Sequence, residues 1–251
     1  MFAGIGLVVL LVMVFGGFAF TGGDLHPIME SIPHEMIIIG GAAVGAIVAG
    51  NSMKEIKQLL GGFGKIFKGP KYSKKDYLDV IFLVSGLMKM LRTDGPVALE
   101  PHIEDQKSSS AFGQYPKLLK DATLVHLITD TLRLVVISSG TLDPMAVEDV
   151  MDNALKTHHH DDIRPADMMQ SLADALPALG IVAAVLGVVK TMGSIDKPPA
   201  ILGHMIGSAL VGTFMGILLA YGIFAPFSNR CRQVIEADAA IYGVVKQIII
   251  A

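Results

Sequence analysis

Apolar residues in this chain collect in four long stretches, approximately 2–21, 34–50, 172–193 and 202–226, separated by polar segments of helical period. A helix rises about 1.5 Å per residue, so about 20 apolar residues cross a hydrocarbon layer of roughly 30 Å. The first, third and fourth stretches reach that length. The second is at the short end: its apolar core runs from Met36 to Ala49, and its flanking Ser, His and Asn residues are expected at the interfaces. The first opens MFAGIG without a basic residue, and no small-x-small site stands out after Phe20, so it reads as a span and not as a cleaved leader. The pattern predicts four membrane-spanning helices.

The section between the second and third stretches has the 3.6-residue period of soluble helices. Residues 52–68, SMKEIKQLLGGFGKIFK, place Ile56, Leu59, Leu60, Phe63, Ile66 and Phe67 on one face, opposite Lys54, Lys57 and Lys65. That suits a helix leaving a bilayer along its surface or an amphipathic packing helix, and the GGFG weakens either. Ser73 and Asp76 form a weak capping box before Tyr77, Val80, Ile81, Val84, Leu87, Met88 and Leu91 at helical spacing. Gly95 is expected to end that helix and Pro96 to begin the next. A polar stretch, 104–114, interrupts. Leu118 to Ser139 then reads as one long, largely buried helix, with Lys120, Asp121, Asp130 and Arg133 arguing against a span. Asp143 is expected to cap a helix with Pro144 first, and Pro165 to begin another that runs into the third span. No segment has a strand period. The predicted architecture is all-α: spans one and two in 1–50, a helical domain in 51–168, spans three and four in 169–226, and a tail in 227–251.

Composition agrees: 52% of the 251 residues are hydrophobic and 17% charged, below the roughly 25% charged of a soluble domain. Fifteen of the 20 Lys and Arg residues lie in 51–168, three in 227–251, two around the third connection (Lys190 and Lys197), and none before residue 54. Basic segments stay on the cytoplasmic side, which predicts a multi-pass inner-membrane protein with both termini and 51–168 inside. The single cysteine, Cys231, rules out an internal disulfide.

Catalytic chemistry finds no foothold. His158, His159 and His160 are adjacent, so they point in different directions instead of recurring at i and i+4 as ligands on a helix do; they read as a solvated helix end, and no metal is expected. The glycines at 61–64 lack the GK[ST] ending of a phosphate loop, and no nucleophile elbow is present. Neither an enzyme, nor an organic cofactor, nor a nucleic-acid partner is expected. Ion movement usually leaves an ionisable residue at membrane depth. Spans one, two and four are read as containing no Asp or Glu, and span three as having only Asp174, near its start. Hydroxyls, Thr213 and Ser208, are the main polar groups there. If protons cross, the carrier carboxylate is expected from another chain. Small-xxx-small pairs, Gly180/Ala184 and Gly212/Gly216, suit either packing within the chain or assembly around a partner helix. Pro177 stands near the start of the third span, and Pro226 closes the fourth at the same predicted face.

ALPALGIVAAVLGVVKTMGS and LVGTFMGILLAYGIFAPF closely resemble the last two spans of the MotA family, the larger subunit of the bacterial flagellar stator, and LMKMLRTDGPVALEPHIED resembles that family's rotor-contact segment. The resemblance covers essentially the whole chain. It implies a ring, a pentamer, around a MotB-like single-span, peptidoglycan-binding subunit whose membrane aspartate carries the proton, and a cytoplasmic domain that pushes on a FliG-like rotor protein. It further implies that Arg92 and Glu100 contact the rotor, that Pro177 and Pro226 couple protonation to helix movement, and that Thr213 lines the ion path, facing the Ala184 region of span three. Sodium-driven relatives carry hydroxyls on that part of span three. GIVAAVLGVV has none, so the resemblance implies protons, since a hard cation such as sodium needs oxygen ligands. The rival within the superfamily is an ExbB or TolQ type energiser of outer-membrane processes, which has three spans and lacks the Arg92/Glu100 segment.

Overall fold

The computed structural model describes residues 2–137 and 143–250, and every regular element among them is helical. The chain divides into two compact units, one formed by Met1–Gly69 with Arg164–Gln233, the other by Pro70–Ile163 with Val234–Ala251.

The first unit carries the apolar helices. α1 (Phe2–Leu11) passes through a π-helical segment, Val12–Gly16, into α2 (Gly17–Phe20). α3 (His26–Gly50) is 25 residues long, so the second span is not short. It begins eight residues before the apolar stretch, with Pro27 in its first turn, where a missing N–H costs nothing, and Pro33 tolerated inside. α4 (Met53–Lys68) follows directly, its start fixed by a capping box between Ser52 and Glu55. Gly62 explains the GGFG: a Cβ there would lie 2.8 Å from Pro165 Cβ and 3.1 Å from Met169 Cε. The buried face of α4 is centred on Leu59, Gly62 and Ile66, and Leu60 and Phe67, expected on that face, are exposed.

α10 (Pro144–Met192) is one helix of 49 residues with Pro165 and Pro177 inside it. Pro165 does not begin a helix. Its buried ring packs into the space left by Gly62, and that contact outweighs the missing backbone hydrogen bond. His158, His159 and His160 therefore lie in mid-helix and not at a helix end, and among the described residues no group of three His, Cys, Asp or Glu could hold a metal ion. α11 (Pro199–Ile217) continues through a π-helical segment, Leu218–Phe224, into α12 (Ala225–Ile250). Four helical stretches are long and apolar enough to cross a membrane: Ala3–Phe20, His26–Gly50, and parts of Met145–Met192 and Pro199–Ile250. Ile39 and Ala43 of α3, Leu176 and Ala183 of α10, and Val211 and Met215 of α11 form their common core. Ile37, Val185 and Leu210 remain more than half exposed, as bilayer-facing residues do.

The second unit is helical throughout its described residues, around a core of its own. α5 (Lys74–Asp94) starts with the expected capping box: the Ser73 N–H donates to Asp76 Oδ2 at 2.6 Å. Gly95, at φ 82°, ends α5 and opens α6 (Pro96–Glu104) with Pro96 first. α7 (Ser110–Gly113), α8 (Pro116–Leu119) and α9 (Ala122–Ile137) follow. The expected single helix from Leu118 is broken at Asp121, whose Oδ1 caps α9 by accepting the Leu124 N–H at 3.2 Å, and Ser138 and Ser139 lie outside the described residues. The buried Asp121 carboxylate also accepts from Lys71 Nζ at 2.8 Å, from the Tyr72 hydroxyl, and from the Tyr242 hydroxyl at 3.3 Å. Burial pushes its pKa up, but Lys71, Tyr72 and the cap outweigh this and hold it below the ordinary value. Asp76 behaves alike: burial opposes ionisation, while Lys117 at 2.5 Å and the Ser73 donors bring its pKa down to about 2. The domain core is Val80, Val84 and Leu87 of α5, Leu99 of α6, Leu132 of α9 and Val245 of α12. The expected cap on α10 is present, Met145 N donating to Asp143 Oδ1 at 3.0 Å.

Candidate functional site

Span three and span four meet with backbone almost against backbone. A Cβ on Gly180 would lie 2.8 Å from the Gly212 carbonyl oxygen and 3.0 Å from Gly216 Cα; one on Gly216 would lie 2.7 Å from the Leu176 carbonyl oxygen. Gly187 faces Ala209 as closely, at 2.6 Å. The small residues thus serve close packing inside the chain, one of the two uses their spacing allows. Gly203 and Gly207 have open space where a Cβ would stand.

This contact fixes the surroundings of two of the expected path residues. A Cβ on Gly212 would lie 3.2 Å from the Ala184 backbone N, so Ala184 and Gly212 are direct neighbours, and Thr213 is the next residue on α11. Both Ala184 and Thr213 are half-buried. Among the described residues the Thr213 hydroxyl has no hydrogen-bond partner, whereas the Thr191 hydroxyl folds back onto the Gly187 carbonyl at 2.9 Å. A hydroxyl left free on a membrane helix can accept or pass a proton or solvate an ion.

The two prolines are accommodated differently. Pro177 lies in the interior of α10, half-buried, immediately after Leu176, whose carbonyl abuts Gly216. Pro226 was expected to close the fourth span, but the helix runs on through it to Ile250. A proline ring clashes with the carbonyl four residues back. The wide π-helical turns of Leu218–Phe224 end two residues before Pro226 and open the backbone where that clash would fall. Phe227 then packs edge-on against Phe63 and Phe67 of α4.

One carboxylate escaped the sequence reading. Glu35 lies inside the 34–50 stretch, well within α3, and is only 6% exposed. The expectation of no carboxylate at depth on spans one, two and four therefore fails for α3. Among the described residues its Oε2 has no hydrogen-bond partner, and it rests against α11 where Gly212 lacks a side chain: a Cβ there would be 2.6 Å away. Glu35 lines a cavity of ≈ 470 Å³ together with Ser31, Ala183, Gly187, Thr191 and Ser208. The Ser31 and Ser208 hydroxyls are 2.7 Å apart across α3 and α11. The signal was present, since a Glu one residue before a 14-residue apolar run is at depth whenever the helix starts earlier.

Arg92 and Glu100 belong to the other unit. Arg92 is in the last turn of α5 and Glu100 in α6, on either side of the Gly95 turn; both are exposed, and neither joins an ion pair among the described residues. Glu100 is helical, although Pro101 was expected to bias it away from that region. That preference is soft, and Leu99 and Ile103, both buried in the domain core, hold the turn helical.

The chain matches two family models: "Motility protein A N-terminal" over residues 4–95 and "MotA/TolQ/ExbB proton channel family" over residues 120–242. It is 42% identical over 229 residues to motility protein A of Salmonella typhimurium, covering 91% of this chain and 76% of that one, and as similar over the same shares to motility protein A of Escherichia coli. Chemotaxis protein LafT of Vibrio parahaemolyticus is 34% identical, covering 98% of this chain and 85% of that one. Its fold is that of a chain in the flagellar MotAB stator complex from Bacillus subtilis, with a TM-score of 0.72 at 22% identity over 98% of this chain and 87% of that one. With four apolar helices and a helical domain inserted between the second and third, this chain belongs to the motility protein A family, within the MotA/TolQ/ExbB proton channel family.

Proposed function

We infer that this chain is the larger stator subunit of a bacterial flagellar motor, a multi-pass inner-membrane protein that forms a proton channel with a MotB-like single-span, peptidoglycan-binding subunit and converts proton flow into torque. The observation that carries this reading is the 42% identity to motility proteins A across 91% of the chain. The fourth apolar helix and the match to the motility protein A N-terminal model favour it over an ExbB or TolQ type energiser. In this reading five copies surround the partner, Pro70–Ile163 faces the cytoplasm with both termini, and Arg92 and Glu100 meet opposite charges on a FliG-like rotor protein. Their exposure, and their lack of ion-pair partners among the described residues, suit a contact that forms and releases at each step. Exposed charge pairs contribute about 0–1 kcal/mol each, weak enough to let go.

Thr213 and Ala184 line the ion path, and the prolines let α10 and α12 bend as the path changes charge. The absence of hydroxyls in GIVAAVLGVV supports protons as the coupling ion, since a hard cation such as sodium needs oxygen ligands. Each proton delivers about 2.3 kcal/mol per 100 mV. Deleting the gene tests the reading: flagella should assemble, as seen by electron microscopy, while tethered cells stop rotating. Normal rotation with impaired outer-membrane uptake would favour the energiser instead.

A further inference from the structure

The cavity holding Glu35 lies between α3, α10 and α11, towards the α10–α11 connection, and nothing assigned so far uses it. Most of the Glu35 side chain is buried, one of its oxygens has no partner among the described residues, and a glycine stands where any larger residue would strike it. An unpaired carboxylate is among the most unfavourable groups to place in a membrane interior, and a proton is the smallest ligand that neutralises it. Conformational packing alone gives no reason for such a group: an alanine or leucine would fill the site without an orphaned oxygen.

Its neighbours have the chemistry of a proton inlet. On α3, Glu30 and His34 line the same cavity; on α10, Lys190; on α11, His204. Glu30 draws together two imidazoles, His26 Nδ1 at 3.8 Å and His204 Nε2 at 3.5 Å. An imidazole can accept a proton at one ring nitrogen and donate one from the other. The Ser31 and Ser208 hydroxyls form a hydrogen-bonded pair beside the carboxyl, with Ser31 donating onward to the Pro27 carbonyl at 2.7 Å. The carboxyl rests against Gly212, and Thr213 is the next residue on α11.

We propose that this cavity is a proton-entry vestibule and that Glu35 is a proton-binding carboxyl within it, loading from the solution at the α10–α11 end and passing the proton towards Thr213. In loading, an O–H bond forms on the Glu35 carboxylate as a hydronium ion or imidazolium loses its proton. In unloading, that bond breaks and the proton goes to the next carboxylate along the path, on the partner span. Gly212 is a positioning residue, because any side chain there displaces the carboxyl. The proposal rests on the proton-channel reading above.

The test is proton flux through the complete complex of this chain with its MotB-like partner in vesicles, driven by an imposed membrane potential in sodium-free buffer. Glu35→Gln keeps the shape and cannot ionise; flux should fall by about a hundredfold, the size of a lost positioned acid–base group. Glu35→Asp should retain most of it, and should shift the infrared carbonyl band of a protonated carboxyl that the wild type gains as the α10–α11 side is acidified. Gly212→Ala should lower flux with Glu35 intact. Wild-type flux preserved in Glu35→Gln overturns the proposal, as does an infrared band unmoved by Glu35→Asp. Wild-type flux that appears only with sodium, or no wild-type flux at all, overturns the proton-channel reading instead.

Discussion

Replacing Gly180 by alanine adds one methyl group where spans three and four meet backbone against backbone. Its Cβ would stand 2.8 Å from the Gly212 carbonyl oxygen and 3.0 Å from Gly216 Cα, both backbone atoms that no rotamer change can move. Ordinary contact distances are about 3.5–4 Å, so α10 and α11 must separate by about 0.5–1 Å. Overpacking of this size costs about 1–3 kcal/mol. The better helix propensity of alanine returns at most about 1 kcal/mol, leaving a net loss of about 1–2 kcal/mol. Gly207→Ala is the matched control, with the same chemistry on α11 and nothing within 4 Å of the added carbon. Thermal melting of the purified complex, followed by circular dichroism, should place Gly180→Ala about 2–8 °C below the wild type. Gly207→Ala should melt at or slightly above it. Equal melting of the two variants would refute the claim that the small residues of span three are there for contact with span four.

Three further outcomes follow from the geometry. Asp76 and Asp121 have folded pKa values below their ordinary ones, so their contribution to stability is complete above about pH 4 and is lost as pH falls through the folded values, about 2 for Asp76. Asp76→Asn should destabilise the protein by about 1–2 kcal/mol at pH 7 after allowance for solvent screening, and melting curves of variant and wild type should converge near pH 2. Reversing Arg92 or Glu100 should lower stall torque in tethered cells without lowering membrane levels or partner binding, and normal torque in both reversals would remove their assigned role. Thr213→Val keeps the side-chain shape without the hydroxyl; proton flux should fall about fivefold, the worth of one hydrogen bond, and Thr213→Ser should restore it.

The four spans were legible because length and apolar content decide whether a helix crosses a membrane, and tertiary context cannot override either. Caps and stops set by backbone chemistry were legible too: Ser73, Gly95 and Asp143 do what their side chains or lack of one allow. Prolines were less so. Pro165 and Pro226 carry a real preference for helix ends, but Gly62 makes room for one ring and a run of π-helical turns prepares for the other. Both accommodations come from residues far away in sequence or from backbone geometry that no local pattern encodes. Glu35 was missed for a related reason. The second stretch was started at residue 34, eight residues late, with its flanking Ser and His residues expected at an interface, so Glu35, one residue inside that edge, was passed over. Thr213 and Ala184 could be picked out only by resemblance; the close packing of Gly212 beneath them gives a physical reason for that neighbourhood.

The most direct test of the account is rotation driven by protons alone. Cells carrying this chain and its MotB-like partner as their sole stator should be tethered in sodium-free medium while membrane potential is imposed in steps. Rotation speed should rise with the proton-motive force and collapse when a protonophore is added. Assembled flagella that stay still under full proton-motive force, or that turn only when sodium is restored, would contradict the account.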